Sequence, residues 1–174
     1  YGSDESQISV WLGDGLGNLT AKVDYQIDAE ISSIVVGDLN GDSLLDLVAG
    51  SDSESRLLIQ LGNGDGTFGA ATTQNLGNSA ETLVLEDLNG NEKLDLVSAN
   101  GGSTISIQLG KGDGTFDEAS NYELEESAIS VAIGDVDGNG KLDLVTGSEY
   151  GGRLSVSLGN GDGTFEAASY YEMG

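Results

Sequence analysis

The chain contains no cysteine, no histidine and no proline among its 174 residues. Without cysteine it can form no disulfide, no zinc finger and no thiolate nucleophile. Without histidine it lacks the usual general base, so Ser-His-Asp and Cys-His catalytic arrangements and histidine-ligated metal sites are excluded. Turns must be made by the 28 glycines and by asparagine, because no residue has the fixed φ of proline.

Basic residues are also scarce: 6 Lys and Arg stand against 30 Asp and Glu, which gives a formal net charge of −24. A surface this acidic repels nucleic acid and anionic lipid, so neither is expected as a partner. No apolar run approaches the length of a membrane span, so no membrane insertion is expected. Tyr1 does not open a signal peptide, and we expect the chain to be a mature or excised piece of a protein.

The most informative feature that is present is an acidic nine-residue segment, which occurs three times. Its copies span residues 38–46, 87–95 and 135–143, and we call them loop 1, loop 2 and loop 3. The starting positions 38, 87 and 135 give a period of 49 and then 48 residues. A fixed period indicates that the loops belong to one repeated structural unit.

The spacing within each loop predicts a site for a hard cation such as Ca²⁺. Oxygen-bearing side chains fill positions 1, 3, 5 and 9, glycine at position 4 permits the tight turn, and a backbone carbonyl at position 7 would supply a fifth ligand. An EF-hand is excluded, because it has glycine at position 6 and glutamate at position 12 between helices. The predicted ligands are Asp38, Asn40, Asp42, Leu44 and Asp46 in loop 1, Asp87, Asn89, Asn91, Lys93 and Asp95 in loop 2, and Asp135, Asp137, Asn139, Lys141 and Asp143 in loop 3.

Bound calcium would also reduce the self-repulsion of so acidic a chain. Up to three Ca²⁺ ions are expected, one in each loop, and three would bring the net charge from −24 to −18. At its predicted ligand positions loop 2 offers only two carboxylates, whereas loops 1 and 3 offer three each. Fewer carboxylates predict weaker binding, so we expect the loop 2 site to empty first.

A second signature, Leu-Gly-x-Gly-Asp-Gly-Thr-Phe, repeats in step with the first. It spans 61–68, 109–116 and 158–165, with a degenerate copy at 12–19. Glycine on both sides of the aspartate favours a hairpin turn, and a metal site there is the lesser alternative. Phosphate binding is disfavoured, because no Lys-Ser/Thr pair follows and the aspartate would repel an anion.

Between the two signatures apolar residues alternate with polar ones, which predicts short β-strands, and no segment shows a sustained helical period. We interpret each repeat as four antiparallel strands, A to D, and a period near 50 residues predicts an all-β fold of β-propeller type. The predicted units are a half blade at 1–27, holding strands C and D only, and blades at 28–77, 78–125 and 126–174. Such an open arc of about three and a half blades would be part of a longer propeller or would complete itself by association.

The loop pattern D-x-[ND]-G-[DN]-x-x-x-D-L and the turn L-G-x-G-D-G-T-F together resemble the FG-GAP/VCBS repeat family, the calcium-loop propellers that also form the head of integrin α chains. The resemblance implies that each acidic loop joins strands A and B of a blade and binds one Ca²⁺. It also implies a role in extracellular adhesion, ligand recognition or a carbohydrate-related protein. Loop 2 departs from the pattern, with Asn91 in place of the commoner Asp and Glu92 where a small residue is frequent.

These observations predict a non-catalytic, calcium-binding scaffold, secreted or on the cell surface, with a protein or glycan ligand. One alternative is a self-assembling or engineered fragment that forms a closed homo-oligomer. Another is an accessory part of a carbohydrate-active enzyme or a lectin. Trp11, the only tryptophan, would either cover the open face of the half blade or stack on a sugar.

Overall fold

The computed structural model describes residues 6–51, 53–148 and 152–173 of the chain. These residues form fourteen β-strands arranged in four separate antiparallel sheets. Within these ranges there is no helix that could span a membrane.

One sheet has two strands and the other three have four, and every sheet is a simple meander in chain order. The two-stranded sheet, the half blade, consists of β1 (Ser6–Gly13) and β2 (Leu19–Ile27). Blade 1 consists of β3 (Ile31–Gly37), β4 (Asp46–Ser51), β5 (Arg56–Gln60) and β6 (Thr72–Asn75). Blade 2 consists of β7 (Thr82–Glu86), β8 (Asp95–Ala99), β9 (Thr104–Gln108) and β10 (Ser120–Glu123). Blade 3 consists of β11 (Ala128–Gly134), β12 (Asp143–Ser148), β13 (Arg153–Ser157) and β14 (Ser169–Glu172).

The strand sequences reflect their place within a blade. Strand B is central and covered on both faces, so every residue of β4 and β8 is buried, and its composition is apolar and small. Strand D forms the outer edge, and in β6 and β10 only one residue of four is even half-buried. The predicted repeat limits at residues 28, 78 and 126 precede β3, β7 and β11.

The hydrophobic core lies between the sheets. Leu57 and Leu76 of the blade 1 repeat pack in one cluster with Leu83, Leu96 and Phe116 of the blade 2 repeat. A second cluster joins blade 2 to blade 3, and a third joins the half blade to blade 1. A sheet of four short strands cannot bury both faces alone, so stacking provides the burial that stabilises the fold. The sequence prediction of an open β-propeller arc is thereby confirmed.

Candidate metal centre

All three acidic loops connect strand A to strand B of a blade. Loop 1 links β3 to β4, loop 2 links β7 to β8, and loop 3 links β11 to β12. The position-9 aspartate of each loop, Asp46, Asp95 or Asp143, is the first residue of strand B. The predicted ligands therefore occupy the same place in each blade.

The backbone of each loop wraps around the position-1 carboxylate. In loop 3, Asp135 Oδ1 accepts hydrogen bonds from the N–H groups of Gly138 (2.7 Å) and Asn139 (3.1 Å), and its Oδ2 accepts one from Gly140 (2.8 Å). Asp38 and Asp87 are held in the same way. The Gly140 hydrogen bond is the largest influence on Asp135 and, with the others, lowers its pKa against the opposing effect of desolvation.

The pKa of Asp38 is also set by hydrogen bonds that oppose desolvation, but here the largest single influence is different. Desolvation is the largest single influence and opposes ionisation, but the hydrogen bonds from Ser43, Gly41, Asn40 and Asp42 together lower the pKa of Asp38. Both position-1 carboxylates are therefore held as anions, which suits a cation site.

The side chains at positions 3 and 5 fold back over their own loop. In loop 3, Asp137 Oδ1 accepts a hydrogen bond from the Asn139 N–H (3.0 Å), and Asn139 Oδ1 accepts one from the Lys141 N–H (2.8 Å). The Asn139 side-chain amide donates to Asp137 Oδ2 over 2.9 Å. Loops 1 and 2 contain the equivalent bonds from the position-5 and position-7 N–H groups. These local bonds order the oxygens at positions 1, 3 and 5 within one turn.

The position-9 aspartate connects the acidic loop to the second signature. Asp143 is fully buried, its Oδ2 accepts a hydrogen bond from the Val136 N–H and its Oδ1 accepts one from the Gly159 N–H, both over 2.8 Å. The same pair of bonds holds Asp46 and Asp95. At Asp95, desolvation raises the carboxyl pKa, and the negative charge of Asp87 adds to the effect.

The partner of this aspartate in the C–D turn could not be predicted from the sequence. The first glycine of each turn lies so close to the acidic loop that a Cβ atom on Gly62 would be 2.1 Å from the carbonyl oxygen of Leu45. Gly110 and Gly159 are equally close to the carbonyl oxygens of Leu94 and Leu142. The two signatures share a period because they contact each other inside every blade. The signal in the sequence was a glycine at the same place in all three turns.

The backbone conformation at position 6 of the loop also could not be predicted from the sequence pattern. Ser43, Glu92 and Gly140 have φ angles of 67°, 64° and 82°, in the left-handed region. Only loop 3 has the glycine that this conformation favours, so the residues of loops 1 and 2 carry local backbone strain. The prediction that glycine at position 4 makes the turn agrees with the φ of 76° at Gly41.

Loop 3 shows the strongest convergence of acidic groups. Carboxylate oxygens of Asp135, Asp137 and Asp143 lie within 4.8 Å of one another. Among the residues that the structure describes, no other set of three or more acidic side chains is drawn together this closely. None of the ion pairs in the described ranges involves a loop carboxylate. Three carboxylates without a basic partner repel one another, and an all-oxygen donor set fits a hard divalent cation such as Ca²⁺.

The aspartate of the second signature has a different role. Asp65 Oδ1 accepts hydrogen bonds from the N–H (2.9 Å) and the hydroxyl (2.6 Å) of Thr67, and the hydroxyl bond is the main cause of its lowered pKa. Asp113 and Asp162 make the same bonds to the threonines that follow them. This geometry is that of a hairpin turn closed by its own side chain, and it favours the turn interpretation over a metal site.

The two contacting signatures are those of a known repeat. The profile of the FG-GAP-like repeat matches residues 38–97 and 87–146. The chain belongs to the FG-GAP-like repeat family. The two matches overlap at loop 2 and between them contain all three acidic loops. No curated protein matches the chain.

Solved structures similar to this FG-GAP-like repeat chain include a lectin from Agrocybe aegerita that specifically recognises non-reducing terminal N-acetylglucosamine. It is 27% identical with a TM-score of 0.57, and the match covers 77% of this chain and 36% of the lectin. BBS1N, in a complex with ARL6DN, is 13% identical with a TM-score of 0.57, and the match covers 88% of this chain and 45% of BBS1N. The chain spans less than half the length of either structure, and the likeness to BBS1N concerns the fold alone.

Proposed function

We propose that this FG-GAP-like repeat chain is a calcium-binding β-propeller module that acts as a non-catalytic scaffold for a ligand outside the cell. The observation that carries the proposal is the group formed by Asp135, Asp137 and Asp143, three carboxylates that converge without a basic partner in the described ranges. Loops 1 and 2 repeat its backbone hydrogen bonds, so up to three ions are proposed.

In this proposal each loop holds its ion with side-chain oxygens at positions 1, 3, 5 and 9 and the carbonyl at position 7, the fifteen residues assigned above. Calcium would supply two positive charges at the centre of the loop and would perform no chemistry. The position-9 aspartate, bonded to the C–D turn as well, would transmit the stabilisation to the whole blade. Calcium binding would thus contribute to folding free energy, because the unfolded chain has no preformed site.

We propose that the chain is not catalytic because of the side chains it contains and the hydrogen bonds they make. It has no histidine, and the aspartates of both signatures are already engaged in loop or turn hydrogen bonds. These aspartates are therefore not free to act as general acid and base. A screen for release of unsaturated sugars should give no product.

A location outside the cell is proposed because extracellular calcium fills sites of the ~10⁻⁴–10⁻³ M class. With a net charge of −24, the partners proposed are a protein or a glycan, and neither nucleic acid nor a membrane.

Isothermal titration calorimetry and thermal unfolding of the chelated protein test the calcium proposal. We expect three bound Ca²⁺ per chain at saturation and a marked rise in melting temperature. Asp137→Ala removes an exposed carboxylate of loop 3 and should lower the stoichiometry to two. Glu118→Ala is the matched control, because it removes one exposed carboxylate outside the loops and should leave three sites. Identical thermal curves in EDTA and in Ca²⁺ would exclude the proposal.

A glycan is the ligand class with a specific observation in its favour. The lectin at 27% identity recognises terminal N-acetylglucosamine, and a cleft of about 420 Å³ lies between the half blade and blade 1 of this chain. Tyr25, Asp24, Arg56 and Gln60 line it, a mixture of aromatic and polar groups that suits a sugar. Titration with N-acetylglucosamine-terminated glycans tests this candidate. Saturable binding that is lost in Asp24→Ala would support a glycan ligand. If no glycan binds, a protein remains as the proposed ligand.

A further inference from the structure

Acidic loops 1 and 2 each contact the blade that follows them as well as their own blade. The residue at position 2 makes this contact: Leu39 in loop 1 and Leu88 in loop 2, which are 5% and 4% exposed. Leu39 packs in one cluster with Phe116 of the blade 2 repeat, and Leu88 packs in one cluster with Phe165 of the blade 3 repeat. Both phenylalanines end a copy of the second signature, so each of these loops packs with the second signature of the next repeat.

The backbone of Leu39 joins its own loop to the next blade. Its N–H donates a hydrogen bond of 2.8 Å to Oδ2 of Asp46, a predicted calcium ligand of loop 1. Its carbonyl oxygen accepts a hydrogen bond of 3.2 Å from the Gly114 N–H in the C–D turn of blade 2. One residue therefore bonds to a ligand of the loop 1 site through its N–H and to blade 2 through its carbonyl.

The C–D turn of blade 2 is itself bonded to loop 2. Gly110, at the start of that turn, donates its N–H to Oδ1 of Asp95 over 2.8 Å. Oδ2 of the same aspartate accepts a hydrogen bond of 3.0 Å from the N–H of Leu88, the residue that contacts blade 3. The next turn repeats the link, because the Gly159 N–H donates to Oδ1 of Asp143 in loop 3. Each predicted site is thus connected to the next by hydrogen bonds and buried contacts.

Loop 2 also contacts blade 1 directly. Leu94, at position 8 of loop 2, lies so close to Gly37 that a Cβ atom on this glycine would be 2.5 Å from Leu94 Cδ1. Gly37 is the last residue of β3 and immediately precedes Asp38, the first predicted ligand of loop 1. Leu142, at the same position of loop 3, packs against the cluster that joins blade 2 to blade 3. The acidic loops therefore contact the preceding blade as well as the following one.

We propose that these contacts couple the acidic loops, so that Ca²⁺ in one loop raises the calcium affinity of the next and the three sites bind with positive cooperativity. The inference rests on the proposed calcium function. Without an ion, the carboxylates of a loop repel one another and its backbone is less restricted. An ion in loop 1 draws them together and fixes Leu39 against the turn of blade 2, which fixes the bond between Gly110 and Asp95. The next ion then binds to a loop that is already ordered.

Charge alone predicts the opposite effect. When loop 1 is empty its carboxylates are not neutralised, and their charge would attract calcium to loop 2 and raise the affinity of that loop. Salt screens this attraction, whereas contacts between packed blades do not depend on it. In a repeat fold each unit interacts with its immediate neighbours, so loop 2 should respond to the ion in loop 1 more strongly than loop 3 does.

Calcium titration of the chelated protein, followed by NMR at about 0.15 M salt, tests the coupling. The amide signals of Gly41, Gly90 and Gly138, at position 4 of loops 1, 2 and 3, report each site separately. Asp42→Ala removes an exposed ligand of loop 1, so the Gly41 response should be lost and the affinity of loop 2 should fall about fivefold or more. Glu118→Ala removes an exposed carboxylate outside the loops and should leave the affinity of loop 2 unchanged. An unchanged or higher loop 2 affinity in Asp42→Ala would overturn the proposal.

Hydrogen exchange at Gly114 gives a readout that does not depend on affinity. Its N–H, which is bonded to the Leu39 carbonyl, should exchange faster in Asp42→Ala than in Glu118→Ala when both are saturated with Ca²⁺. Equal exchange rates would mean that the ion in loop 1 does not fix the contact with blade 2, and the proposal would be wrong.

A further pair of variants tests whether Leu39 carries the coupling. Leu39→Ala removes the side chain that contacts blade 2, so adding Asp42→Ala to it should no longer weaken loop 2. Leu76→Ala is the matched control, because Leu76 is buried in the same cluster but lies outside the acidic loops. In that background Asp42→Ala should still weaken loop 2, and the same loss of coupling in both backgrounds would contradict the role of Leu39.

The coupling and the calcium function fail in different ways. Three bound ions whose affinities do not depend on one another would overturn the coupling and leave the calcium function in place. A loop that binds no ion in the native protein would contradict the calcium assignment of that loop, and no bound ion at all would overturn both proposals.

Discussion

Asp46 Oδ1 accepts a hydrogen bond of 2.8 Å from the backbone N–H of Gly62, which lies 16 residues later in the chain. The bond joins the first residue of strand B to the first glycine of the C–D turn, and it recurs in blades 2 and 3. The same aspartate is predicted to ligate calcium through its loop. One buried side chain therefore connects the candidate ion site to the outer hairpin of its blade.

The close approach at Gly62 gives a sharp prediction for stability. Gly62→Ala would place a Cβ 2.1 Å from the Leu45 carbonyl oxygen, so the backbone must move, and we expect a loss of about 3 kcal/mol in the free energy of unfolding. Gly13→Ala is the matched control, because Gly13 has the same place in the half blade but no atom within 4 Å of its Cβ position. Urea denaturation of both variants checks this. A Gly62→Ala protein as stable as Gly13→Ala would contradict the packing argument.

The variant Asp95→Asn tests how much the hydrogen bonds of the position-9 aspartate contribute to stability. The measurement is made in excess EDTA, so that metal binding does not contribute. Both Asp95 oxygens accept from backbone N–H groups, those of Leu88 (3.0 Å) and Gly110 (2.8 Å). An amide keeps only one acceptor and turns a donor toward the other N–H, so we expect a loss of about 1–3 kcal/mol in unfolding free energy. Asp113→Asn is the control, since the Oδ1 of Asp113 makes both of its bonds to Thr115 and an amide oxygen can replace it. Equal stability of the two variants would be the contrary result.

Two aspartates of adjacent loops should titrate on opposite sides of the ordinary carboxyl value. Backbone hydrogen bonds lower the pKa of Asp135 below 3.8, whereas desolvation raises the pKa of Asp95 above it. Without metal, the stabilisation from Asp135 is fully present above its unfolded pKa and is lost as pH falls through the lower folded value. Asp95 works in the opposite sense: its ionisation costs stability as pH rises above its unfolded pKa. Carboxyl carbon NMR in EDTA should show the Asp135 midpoint at lower pH than that of Asp95, and the reverse order would contradict the assignment.

The number of carboxylates should rank the calcium sites. The predicted ligand positions of loop 2 hold only two carboxylates, Asp87 and Asp95, so the loop 2 ion should be the first to leave when chelator is added. Asn91→Asp adds a third carboxylate and should raise the affinity of this loop by about tenfold or more, read by calorimetry. Thr73→Glu, on the exposed edge strand β6, adds the same charge away from the loops and should leave the affinity unchanged. Loss of the loop 2 ion last would refute the ranking.

The fold class and the repeat could be predicted because both are determined by residues close together in the sequence. Strand alternation, the two signatures and their common period depend on residues close together in the chain, and the propeller follows from them. The tight turn of the acidic loops could also be predicted, since Asp and Asn at positions 1, 3 and 5 bond to backbone N–H groups within the same turn. Their role as metal ligands stays a prediction. The second role of Asp143 was not readable, because its partner Gly159 is 16 residues away and approaches only after strands B and C pair.

The left-handed backbone at Glu92 was similarly hidden, because only the folded loop requires it. What the sequence by itself determined is the unit: four short strands, an acidic A–B loop and a glycine-rich C–D turn. The tertiary structure decided which carboxylates converge, how the two signatures bond to each other, and which residues of an acidic loop contact the next blade. These outcomes depend on distances between residues of different strands and blades, which pairing and stacking set and which no local pattern of side chains contains.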